Sequence, residues 1–106
     1  MATATGQQVQ VRDRFYIGGA WVEPTGTGVL EVVNSATEEV MGSVPAGTAE
    51  DVDRAVGAAR EAFESWSQTS VDERAEWTTR IAQALGARME EIAALIAQEV
   101  GMPVKL

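Results

Sequence analysis

Cysteine and histidine are both absent from the 106 residues. Without thiols there is no disulfide, no thiolate metal site and no cysteine nucleophile. Without imidazole there is no Ser-His-Asp triad, no histidine-based metal motif and no side chain that ordinarily titrates near neutral pH. Basic residues are scarce: 8 Lys and Arg stand against 16 Asp and Glu, a net charge of −8. That surface repels phosphate backbones and anionic membranes, so neither nucleic acid nor membrane is an expected partner. Long apolar runs are missing too. The longest, Ile92 to Ala97, falls far short of the ~20 residues of a membrane span. The start, Met1 to Gln8, lacks the basic and apolar blocks of an export signal, and the cytoplasm is the expected compartment.

What is present has an ordinary globular balance, 45% apolar and 23% charged, enough for one small domain. The chain changes character near Gly47, from glycine and β-branched residues to Ala, Glu and Arg. Residues 1–14 read as a flexible leader. Gly18-Gly19 between Phe15-Tyr16-Ile17 and Ala20-Trp21-Val22 suits a hairpin whose turn needs positive φ at both positions. It pairs Tyr16 with Trp21 and Phe15 with Val22. Val29 to Val33 and Val40 to Val44 make a second hairpin around the turn Asn34 to Glu39, so strands occupy about 15–45.

Helices follow at about 48–66, 70–86 and 88–100. Thr48 caps the first, whose apolar stripe is Val52, Ala55, Val56, Ala59, Phe63 and Trp66, with Glu50 and Arg54 pairing on the opposite side. Ser70 to Glu73 spell a fuller capping box for the second, which carries Trp77, Ile81 and Leu85. The third carries Met89, Ile92, Ile96 and Val100, and stops at Gly101 with Pro103 beyond. The fold class expected of the isolated chain is α+β: short antiparallel strands in two hairpins, then three helices.

No candidate for chemistry outweighs a plainer role. Gly18-Gly19 and Gly26-Thr27-Gly28 lack the frame of a phosphate loop and read as turns. Neighbours such as Glu38-Glu39 and Glu90-Glu91 do not converge on one bond, and Glu61/Glu64 and Glu73/Glu76 have no histidine to complete a metal face. All read as surface charge. Ser35, Ser65, Ser67 and Ser70 have no base to activate them. Trp21, Trp66 and Trp77 read as packing residues. The single lysine, Lys105, belongs to an end expected to fray.

The order of segments nevertheless resembles the aldehyde dehydrogenase superfamily. Phe15-Tyr16-Ile17-Gly18-Gly19-Ala20-Trp21-Val22 is similar to its opening strands. Val33-Asn34-Ser35-Ala36-Thr37-Glu38-Glu39-Val40 resembles its Asn-Pro-Ala-Thr-Gly-Glu turn. Ala49 to Phe63 resembles its first helix, Trp66-Ser67 and Glu73-Arg74-Ala75 continue the order, and Glu99-Val100-Gly101-Met102-Pro103 resembles its Gly-Lys-Pro segment. Departures are Ser35 for the usual Pro, Glu38 for Gly, Trp77 for Leu, Met102 for Lys and Arg88 where Asn often caps the third helix.

The resemblance implies a fragment of the α/β aldehyde dehydrogenase fold, with residues 15–106 as its N-terminal segment. It implies NAD(P)-dependent oxidation of an aldehyde to an acid through a thiohemiacetal and a thioester on a cysteine, with a glutamate activating water. The residues that do this in the family lie beyond the matching stretch. The expected catalytic, cofactor-binding and metal residues of this chain are therefore none. NAD or NADP belongs to the complete enzyme, and the chain alone is expected to bind neither and to be inactive. In some relatives a structural monovalent cation sits at positions matching the backbone of Val32 and Val33 and the side chain of Glu99; here the plainer expectation is that Glu99 only ends a helix.

Two readings follow. One is the N-terminal piece of an aldehyde dehydrogenase, from a truncated or split gene, and the ending just after the third helix leans that way. The other is a separate, non-catalytic module docking on a dehydrogenase subunit. Both predict apolar helix faces left bare, ready for the remainder of an enzyme or for self-association.

Overall fold

A computed structural model describes residues 8–103. Its elements are β1 (Gln10–Val11), β2 (Phe15–Ile17), β3 (Ala20–Val22), β4 (Val29–Val33), β5 (Val40–Pro45), α1 (Ala49–Trp66), α2 (Val71–Ala87) and α3 (Met89–Val100). Lys105 lies outside the described residues.

The first hairpin forms on the turn the glycines permit. Gly18 and Gly19 have φ of 63° and 81°, the left-handed values of a turn that follows the strand twist. Phe15 faces Val22, Tyr16 faces Trp21 and Ile17 faces Ala20. The Tyr16 and Trp21 rings meet edge to face at 5.1 Å between centroids, a favoured aromatic geometry.

In the second hairpin, β4 and β5 run antiparallel with Leu30 opposite Val44 and Val32 opposite Gly42. The register shifts between Val32 and Val33. Asn34 closes the turn: its Oδ1 accepts from the amides of Ala36 at 2.9 Å and Thr37 at 3.2 Å. Its own amide donates to the Glu39 carbonyl at 2.8 Å. Glu38 sits at φ 63°, a left-handed conformation that costs a side-chain-bearing residue roughly 1–2 kcal/mol relative to glycine.

Two expectations need correcting. Residues 1–14 are not a leader throughout, because β1 pairs with β5, Gln10 against Gly42 and Val11 against Ser43. The pairing is also parallel, so the strands are not all hairpin partners, and the sheet order is β1-β5-β4. The physical opening is Gly42. A Cβ there would lie 2.7 Å from the Gln10 carbonyl oxygen, closer than real side chains tolerate, so only glycine lets β1 approach.

The helices lie close to the expected bounds, but their caps are redistributed. Thr48 Oγ1 accepts from the Asp51 amide at 3.2 Å, while Asp51 Oδ2 accepts from the Thr48 amide at 3.0 Å. The reciprocal capping box is therefore at α1. At α2 Ser70 Oγ accepts from the Glu73 amide at 3.1 Å, and only this half forms among the hydrogen bonds recorded there. Arg54 does not pair with Glu50 but with Asp51, at 3.6 Å. One residue, Arg88, separates α2 from α3, and its carbonyl still accepts from the Ile92 amide at 3.0 Å. Gly101, at φ 71°, ends α3.

These elements form a slab of 51 × 37 × 17 Å with a radius of gyration of 17.5 Å, where a compact chain of this length has about 13 Å. Its accessible surface is 8364 Å², against roughly 5,700 Å² for a compact protein of this mass. Among the described residues Met41 alone is a buried hydrophobic residue.

Replacing Gly42 by Ala is expected to release β1 and leave the second hairpin in place. Amide exchange should then accelerate in residues 8–14 while β4 and β5 keep their protection; equal protection of residues 8–14 in both proteins would contradict the account.

Candidate functional site

Each candidate from the sequence can now be placed. Gly18-Gly19 forms the hairpin tip over the middle of α1, where a Cβ on Gly18 would meet the Ala58 Cβ at 3.7 Å. The turn faces no helix N-terminus and presents no phosphate cradle. The shallow hollow beside it, about 690 Å³, is lined by Tyr16, Gly18, Ala55, Ala59 and Ala62 among others. Its lining also includes Gly19 and the Glu61 carboxylate, and holds no Lys or Arg.

The acidic pairs separate as well. Glu91 is not simply solvated: Arg88 donates to it from Nε at 3.0 Å and from Nη2 at 2.7 Å. Those hydrogen bonds, then the guanidinium charge, lower the Glu91 pKa and raise that of Arg88, with Arg12 adding a smaller lowering at Glu91. Glu76 lies 3.8 Å from Arg80. Glu39 holds one carboxylate oxygen buried without a hydrogen-bond partner. No group of three or more His, Cys, Asp or Glu among the described residues is placed to hold a metal.

Val32 and Glu99 come together as lining of one cleft of about 470 Å³ between the sheet and α3. Val33 lies at the register shift beside it. Glu99 is exposed and Val32 half-buried. The oxygen donors lining this cleft are the Glu99 carboxylate, the Glu91 carboxylate already held by Arg88, side chains such as Gln10 and Ser43, and main-chain carbonyls.

The most developed polar network ties the strand region to the helices. Asp51 is 4% exposed. Its Oδ2 accepts from the Thr48 amide and from the Thr48 hydroxyl at 3.1 Å, and its Oδ1 accepts from the Thr25 amide at 3.0 Å. The Arg54 guanidinium spans from Asp51 to the Glu23 carbonyl, at 3.2 Å from the latter. Asp51 stands in the first turn of α1, where a carboxylate meets the positive end of the helix. Its reach to Thr25 depends on the loop folding back, which no local pattern encodes.

The apolar stripes face outward. Phe63 is 65% exposed, Ile81 60% and Leu85 56%, so these residues and Trp66 and Trp77 do not pack within the described chain as the tryptophans were expected to. Trp77 carries the Arg80 guanidinium 4.8 Å above its ring. The described residues thus carry an exposed apolar layer along α1 and α2.

The sequence pattern of the Aldehyde dehydrogenase family matches residues 21–106. The chain is 47% identical over 90 residues to a 3-succinoylsemialdehyde-pyridine dehydrogenase of Pseudomonas, covering 85% of this chain and 19% of that protein. It is also 47% identical over 90 residues to malonate-semialdehyde dehydrogenase 1 of Geobacillus kaustophilus, covering 85% of this chain and 18% of that protein. Among solved structures, it superposes on an aldehyde dehydrogenase C variant from Pseudomonas syringae, complexed with NAD+ and octanal. The TM-score is 0.83 and the identity 42%, over 98% of this chain and 20% of that one. A Mycobacterium tuberculosis aldehyde dehydrogenase complexed with NAD+ gives 0.84 and 39%, over 91% and 20%. The chain thus spans about one-fifth of the length of the relatives it matches, their N-terminal segment.

The Asp51 network makes a pH prediction. The Thr48 amide, foremost, and the Thr25 amide hold the Asp51 carboxyl below its ordinary value of 3.8, against partial desolvation. The fold therefore favours the carboxylate. Its stabilisation is fully present above the ordinary value and is lost as pH falls through the lowered one. The amide shifts of Thr25 and Thr48 should titrate together below pH 3.8, and in Asp51→Asn this step should vanish. A step at or above the ordinary value would refute the assignment.

Proposed function

Because the chain belongs to the aldehyde dehydrogenase family, we propose that it is the N-terminal part of an NAD(P)-dependent enzyme oxidising an aldehyde to a carboxylic acid. The observation that carries this reading is the agreement of sequence and fold over the same residues, 42% identity at a TM-score of 0.83 across 98% of the chain. NAD is the cofactor to test first, since two of the matched structures hold NAD+. Semialdehydes are the first substrates to try, because relatives are named for them.

With no cysteine and no histidine, this segment supplies neither a thiolate nor an imidazole base. Its contribution is architectural. The outward stripes of α1 and α2 pack on the remainder of the subunit, and in its absence the chain self-associates through them. Among the described residues no helix is long and apolar enough to cross a membrane.

Two preparations test this together. The 106-residue chain alone should give no aldehyde-dependent reduction of NAD above a mock preparation, and should bind ANS and sediment as mixed oligomers. A chimera in which residues 21–106 replace the matching segment of the Geobacillus kaustophilus enzyme should fold, lose ANS binding and reduce NAD with malonate semialdehyde. A folded chimera without activity, or an active isolated chain, would overturn the proposal.

A further inference from the structure

The geometry points to Ser35 as a positioning residue that fastens the C-terminal end of α3 to the strand region through the main-chain carbonyl of Gln98. The Ser35 amide donates to that oxygen at 2.8 Å and its hydroxyl donates to the same oxygen at 3.1 Å. The two contacts join residues 63 apart in sequence. The Gln98 carbonyl lies in the last turn of α3, where carbonyls lack intrahelical donors, so the pair satisfies an acceptor the helix itself leaves open.

Packing at this end of α3 is partial: Ala97 and Gln98 are half-buried while Ile96 and Val100 are exposed. Val32, Met41 and Val44 on the sheet side and Ala94 and Leu95 on the helix side line an open cleft of about 470 Å³. The contact is also sterically matched. Gly101 adopts φ 71°, and a Cβ there would stand 3.2 Å from Ser35 Oγ. Glycine at 101 therefore ends the helix and leaves room for the hydroxyl to reach Gln98. On its other side Ser35 follows Asn34, which is buried and held by its own turn. The donor thus sits on a fixed support.

Hydrogen exchange on the intact protein tests the assignment. Ser35→Ala keeps the amide donor and removes the hydroxyl. It should speed exchange in the last turn of α3 about fivefold, as loss of one net hydrogen bond does, with α1 unchanged. Ser35→Thr restores a hydroxyl and should restore protection. Gly101→Ala should speed the same amides more strongly, and its effect should shrink in the Ser35→Ala background, where the added methyl no longer meets a hydroxyl. Unchanged exchange in Ser35→Ala, or a double variant whose effects simply multiply, would overturn the proposal. If Gly101→Ala fails to fold, the loss in Ser35→Ala and its recovery in Ser35→Thr decide alone.

Discussion

The Asp51 carboxylate is where the loop after the first hairpin and the start of α1 are joined. Thr25 reaches Oδ1 from the loop, Thr48 reaches Oδ2 from the helix cap, and Arg54 lies between Oδ1 and the Glu23 carbonyl. Each partner on its own makes an ordinary cap or turn. Together they turn a local helix start into a long-range joint, in a chain whose apolar contacts between helices and strands are few. A small domain ordinarily holds its layers together by burying apolar area between them. This slab is 17 Å thick, little more than one layer of helix, and has almost no interior. Its elements are placed by polar joints: Asp51, the Asn34 turn and the Ser35 contact with α3.

That division explains what could be read from the sequence. Turn and cap chemistry are local, so the Gly18-Gly19 hairpin, its register, the second hairpin and the Thr48 and Ser70 starts were legible. The β1 strand was not, because two residues of parallel pairing leave no periodic signal. Its clearest trace is the missing side chain at Gly42, which sequence reasoning treated as an ordinary strand residue. The box at Ser70 looked better on paper because Glu73 has the favoured residue type. Asp51 won at Thr48 because the Thr25 amide also holds its carboxylate. The tryptophans show the other gap. Periodicity identified their faces correctly, but it cannot say whether the covering surface belongs to the same stretch of chain.

The candidate site was legible mainly through absence. A chain without cysteine or histidine cannot supply the cysteine nucleophile the family resemblance implies. Glu91 is engaged by Arg88, Glu76 lies beside Arg80, and Asp51 serves a cap. These three acidic side chains are thus used to hold helix starts and helix faces.

The thin slab has a consequence for biosynthesis. In the relatives, the matching stretch is the N-terminal one, and a ribosome delivers N-terminal stretches first. Its hairpins and caps need nothing later in the chain and can form as they emerge. In those relatives the other four-fifths of the chain is made afterwards. During that interval the nascent segment is structured yet sticky, and its excess of negative charge becomes a solubility device, keeping neighbouring nascent chains on one polysome apart.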